Sequence, residues 1–169
     1  MDSSKTKPLD LLDKSQISEL RQKKDFRNVL ALSFDWGMMA LGFYIFYAYP
    51  SVITFLVAVI IIGSRQFALA VLAHDGAHNL LFSNLKVNDF MAQWFCAYPI
   101  FQDNRVYRPY HLKHHRYTET DKDPDLSLSA PFPITKKSFL RKVFRDLTGL
   151  TGLKRYSSAL LSILNTESS

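Results

Sequence analysis

From Asn28 to Ser64 the chain carries no lysine or arginine, and Asp35 is its only acid. A run of that length and purity exceeds the ~20 apolar residues that one membrane-crossing helix needs. All 21 basic residues lie outside it, and the net charge is +6. Apolar residues make up 47% of the composition, yet the mean hydropathy is -0.05. One chain of 169 residues, about one domain long, thus joins a strongly apolar stretch to strongly charged ones.

Tyr49–Pro50 followed by Ser51 is a turn signal inside the apolar stretch. It separates Val29–Ala48 from Val52–Ala73, and it is too short to hold a loop domain. The expected fold is all-α: an integral-membrane helical hairpin followed by cytoplasmic and interfacial helices. Residues 1–28 then form a cytoplasmic N-terminal amphipathic segment, with a short charged helix over 9–27. Residues 29–73 form the transmembrane hairpin, and 74–169 form the cytoplasmic and interfacial region. Basic residues flank both outer ends and are absent from the turn. The positive-inside rule therefore puts the N-terminus and everything after Ala73 in the cytoplasm. At about 1.5 Å per residue, Ser51 to Leu72 covers ~33 Å, about one hydrocarbon thickness, so His74 and His78 fall at the cytoplasmic rim.

The mixed charges of residues 1–27 exclude a signal peptide, whose apolar core lies near the start. Cys96 is the single cysteine, so no internal disulfide forms. A net positive charge is also found in nucleic-acid binders. Beside this much membrane-length sequence it reads instead as cytoplasmic loops against anionic lipid, with membrane lipid and no nucleic acid as partner.

Asp35 and Arg65 interrupt the apolar arms at matching distances from the turn. In an antiparallel hairpin they share a depth, and an intramembrane ion needs a partner, so pairing is expected. Separate snorkelling to the interface is the alternative. Residues 83–89 (SNLKVND) form a polar turn. Phe90 to Ile100, rich in aromatics, reads as a re-entrant or interfacial helix ending at Pro99, or as an ordinary core helix. After Pro131, ITKKSFLRKVFRDLTGL has amphipathic spacing with Lys136, Lys137, Arg141, Lys142 and Arg145 on the polar face. It suits a helix on a membrane surface or one packed on the cytoplasmic region.

The five histidines fall in two boxes, HDGAH (His74, His78) and HLKHH (His111, His114, His115). Residues three or four apart on a helix are neighbours, so His74 faces His78, and His111 faces both His114 and His115. The last two diverge by about 100° around the helix, so two metals could take one each. Imidazoles of this number suit iron or zinc. A zinc peptidase fits poorly. Asp75 stands where the general-base glutamate of H-E-x-x-H belongs, and the second box has no role there. Asp121, Asp123 and Asp125 begin like a calcium loop, but Leu126 and Phe132 replace its glycine and closing glutamate.

HDGAH at the cytoplasmic end of a membrane helix, followed by HLKHHRYTETDKDPD after an aromatic segment, resembles the integral-membrane fatty acid desaturase superfamily. The likeness runs from about Ser64 to Asp125. That superfamily includes acyl hydroxylases, carotenoid ketolases and carotenoid hydroxylases. The resemblance implies an oxidoreductase with a non-haem di-iron site that uses O2 as co-substrate to introduce a double bond into a lipid acyl chain. His74, His78, His111, His114 and His115 would be iron ligands. Asp75, Asp123 and Asp125 would orient the imidazoles through N–H bonds, although a solvated acidic turn also accounts for Asp123 and Asp125. Electrons would come from a donor such as ferredoxin or cytochrome b5. No catalytic residue beyond the ligands is assigned.

The superfamily has a third box, another H-x-x-H-H, which this sequence lacks. The expectation is therefore the N-terminal portion of a desaturase. A carotenoid ketolase or hydroxylase, and a non-catalytic truncated membrane protein, are the alternatives.

Overall fold

The computed structural model describes residues 13–20, 22–154 and 156–157. Every regular element among them is helical. The chain divides into two compact units, with the boundary between Tyr117 and Thr118.

The charged N-terminal segment is not one continuous helix. Helix α1 covers Lys14–Leu20, and residues 22–24 are non-helical. Residues 9–12 and 21 of the expected 9–27 helix lie outside the described ones. Helix α2 spans Asp25–Ala48, and α3 spans Val52–Ala77. Pro50 cannot continue a helix and disfavours helical geometry at Tyr49, so α2 stops there. Ser51 then caps α3. Its hydroxyl accepts from Thr54 N, while Thr54 Oγ1 accepts from Ser51 N, a reciprocal box that satisfies otherwise orphaned donors.

α2 and α3 pack side by side and are long and apolar enough to cross a membrane. The most apolar stretches of these helices are only 22% and 11% buried within the protein. Tyr47, Ile53, Ile60 and Phe67 all point outward. A helix whose apolar face serves a soluble core is mostly buried, whereas lipid-covered helices present apolar side chains all round.

The core sits at the far end of the hairpin from the turn. Leu69 and Ala73 of α3 are fully buried, with Ala92, Cys96 and Ala97 and with Leu32 and Met39 of α2. The small residues let the next segment approach closely. That segment begins earlier than expected: Asn84 accepts from Lys86 N and Val87 N, starting α4 at Leu85–Met91, so only the first part of SNLKVND is a turn. α4 runs directly into a π-helical stretch, Ala92–Ala97, and a 3-10 turn, Tyr98–Ile100. The aromatic segment is therefore helical, as its composition indicated, but with irregular winding.

Helix α5, Asn104–Tyr117, carries the entire second histidine box. The second unit contains α6, Leu126–Ser129, and α7, Lys136–Leu147. α7 is capped by Thr135, whose hydroxyl accepts from Ser138 N, and Phe139, Leu140, Phe144 and Leu147 are exposed along it.

Candidate metal centre

The last turn of α3 presents His74, and His78 is that helix's C-cap residue. Helix α5 approaches from the other side with His111, which is buried. One ring nitrogen from each of His74, His78, His111 and His115 lies within 4.8 Å of all the others. His111 Nε2 is 3.0 Å from His78 Nε2 and 2.9 Å from His115 Nε2. The two boxes are thus brought to one point. His114 falls outside this group of four, its ring 6.2 Å from that of His111.

Those nitrogen spacings have a chemical consequence. A ring nitrogen offers one N–H or one lone pair, so His111 Nε2 can satisfy only one of its two imidazole neighbours by hydrogen bonding. A cation at the focus would satisfy all of them.

The electrostatics suit a cation as well. Burial, reinforced by the neighbouring histidines His74, His115, His78 and His114, pushes the His111 pKa down to about 4. Burial followed by His74 and His115 lowers that of His78. Both rings are then neutral near pH 7, the form in which imidazole binds a metal.

Asp75 Oδ1 lies 3.4 Å from His74 Nδ1. Asp123 belongs to the second unit and is buried. Its two carboxylate oxygens accept from Glu119 N and Asp125 N, each at 2.8 Å, so Asp123 organises its own turn. Arg65 Nη1 lies 3.1 Å from Asp35 Oδ1 within the hairpin.

Four further residues around the centre are not evident from the histidine pattern. Tyr107 stacks on His111, with ring centroids 4.9 Å apart and planes at 14°. Its position one turn before His111 was the available signal. Asn88 is fully buried: Oδ1 accepts from Leu81 N and Phe82 N, and Nδ2 donates to the Gly76 carbonyl at 3.0 Å. Arg108 donates from Nη2 to the same carbonyl at 2.9 Å and also to Asp89. Gly76 has no room for a side chain, because a Cβ there would stand 2.3 Å from Ala92 Cβ.

The fatty acid desaturase family model matches residues 50–166, a range that contains both histidine boxes. The chain belongs to the fatty acid desaturase family. It is similar to dihydrorhizobitoxine desaturase of Bradyrhizobium elkanii, 44% identical over 71 residues. That alignment covers 41% of this chain and 20% of that enzyme, so the chain matches only a small part of its relative. No solved structure matches. With the two apolar helices, family membership points to a membrane protein.

Proposed function

We propose that this chain forms the histidine-box part of a membrane desaturase, an O2-dependent iron oxidoreductase that inserts a double bond into a lipid acyl chain. The convergence of four imidazole nitrogens within 4.8 Å carries the proposal. His74, His78, His111 and His115 would hold one iron ion. His114, outside that group on the same helix, would serve a second. Iron is the metal that family membership favours, and imidazole ligands suit it. Bound there, iron would supply the oxidation of an unactivated C–H bond, which no side chain can perform.

The protein's own part is placement. The outward-facing hairpin lets an acyl chain approach through lipid, and the rings lie where α3 ends. Gly76 and the buried Ala92, Cys96 and Ala97 are small enough for α3 and the π-helical segment to pack closely. Tyr107 holds the plane of His111. The absence of basic residues from the turn, against their abundance on both flanks, supports a cytoplasmic location for the N-terminus and both boxes. Electrons would then arrive from a soluble or membrane-attached donor on that side.

A second reading concerns substrate alone. The 44% identity to an enzyme named for dihydrorhizobitoxine favours a substrate of that kind in place of a lipid acyl chain. The decisive first experiment is metal analysis of the chain purified without oxygen and reconstituted with ferrous iron. Iron that is retained, and lost in His78→Ala and His111→Ala, supports the proposal. No retained iron would refute it. Gas chromatography of lipids from an expressing host, beside assays with dihydrorhizobitoxine, separates the two substrates.

A further inference from the structure

We infer that Arg108 is the positioning residue that locks the second histidine helix onto the first histidine box. The inference rests on the metal-centre reading above and adds to it a device for setting ligand geometry.

Gly76 lies between His74 and His78 in the last turn of α3, where helix carbonyls lack intrahelical partners. Its carbonyl accepts from Asn79 N at 3.0 Å, from Asn88 Nδ2 at 3.0 Å and from Arg108 Nη2 at 2.9 Å. Three segments thus meet on one oxygen: the chain leaving α3, α4, and α5. Arg108 stands one turn before His111 on α5, so its anchorage fixes where His111 is presented. The same Nη2 donates to Asp89 of α4. Arg108 is therefore held from both sides, and its positive charge sits at a helix C-terminus, where a cation is favoured.

The consequence for the metal site is geometric. The 3.0 Å approach of His78 to His111 joins a residue at the end of α3 to one on α5. No chain segment shorter than the whole α4 region connects them. Ligand positions must hold to about half an ångström for a site to bind well. Without Arg108, α5 can shift against α3 while each helix stays intact. The Arg108 bonds also hold the Asp89 carboxyl below its ordinary range, in keeping with a well-formed pair.

The test uses Co2+ as probe with the whole chain in detergent micelles. Affinity is read by chelator competition, site geometry by the visible Co2+ absorption bands, and folding by helical circular dichroism. Arg108→Ala should keep its helicity, bind Co2+ about tenfold or more weakly, and show altered bands. Arg108→Lys should recover part of the loss, since an ammonium can still reach the carbonyl. Arg105→Ala, an exposed arginine on the same helix, should match the unmodified chain. Unchanged affinity and bands in Arg108→Ala would overturn the proposal, as would an equal loss in Arg105→Ala. If Arg108→Ala does not fold, Arg108→Lys and Asp89→Asn decide: weaker binding with altered bands supports the role, and unmodified behaviour in both overturns it. An unmodified chain that binds no Co2+ would remove the metal reading itself and this inference with it. That result is distinct from the others because it needs no variant.

Discussion

Arg65 Nη1 and Asp35 Oδ1 lie 3.1 Å apart, joining the two arms of the apolar hairpin. The Arg65 guanidinium also lies over the Phe34 ring, 5.5 Å from its centroid. Asp35 is buried. Breaking a buried pair leaves an uncompensated charge and costs ~3 kcal/mol or more. Arg65→Ala should therefore destabilise the chain strongly when Asp35 is present and much less in an Asp35→Asn background. Unfolding in mixed micelles across the four combinations measures the coupling. Equal losses in both backgrounds would show that the two charges act separately.

Gly76→Ala should destabilise by about 1–3 kcal/mol, the usual cost of overpacking. The added Cβ would meet Ala92 Cβ at 2.3 Å and Ala92 Cα at 3.5 Å. Because the conflict is with one methyl group, Ala92→Gly should restore much of the loss. Thermal unfolding of both single variants and the double variant checks this. A double variant no better than Gly76→Ala would mean that the close contact is not the cause.

Asn88→Ala should cost on the order of 3 kcal/mol, since it strips the partner from two buried backbone donors, Leu81 N and Phe82 N. Amide hydrogen exchange at Leu81 and Phe82 should accelerate more than exchange within α2. Exchange that rises evenly along the chain would point to a general loss of stability instead.

The Asp89–Arg108 pair gives a pH dependence with a definite sign. The hydrogen bond from Arg108, first among the causes, lowers the Asp89 pKa from its ordinary 3.8. A carboxylate stabilised in the folded state contributes fully above pH 3.8 and loses that contribution as pH falls through the lowered value. Asp89 is about half exposed, so screening keeps the effect small. The melting temperature of the unmodified chain should exceed that of Asp89→Asn at pH 6, and the gap should close in stronger acid. A gap that widens on acidification would contradict the pairing.

Membrane sidedness can be read with introduced thiols, because Cys96 is the only native cysteine and is fully buried. Burial pushes its thiol up to about 12, so it stays unreactive near neutral pH. A membrane-impermeant maleimide should label Tyr49→Cys from outside intact cells and Ser157→Cys only after the cells are opened. The reverse pattern would invert the proposed topology.

Much of this molecule is local and was therefore legible in the amino-acid order. The stretch free of lysine and arginine and the Tyr49–Pro50–Ser51 turn define two long helices without help from distant residues. Histidine spacing of three and four places the rings on shared helical faces. The matching depths of Asp35 and Arg65 follow once the hairpin is drawn. Element edges were less legible: the Asn84 cap starts α4 inside the supposed turn, and the π-helical winding after Met91 has no simple pattern to announce it.

The amino-acid order by itself determined the hairpin, the two histidine boxes and the divergence of His114 from His115, because each depends on neighbours a few residues away. Only the tertiary structure decided that His115 rather than His114 joins His74, His78 and His111. It alone placed Asn88 and Arg108 on the Gly76 carbonyl and pressed Ala92 against that glycine. These are contacts between separate helices, and their geometry depends on how whole elements pack, which no local periodicity encodes.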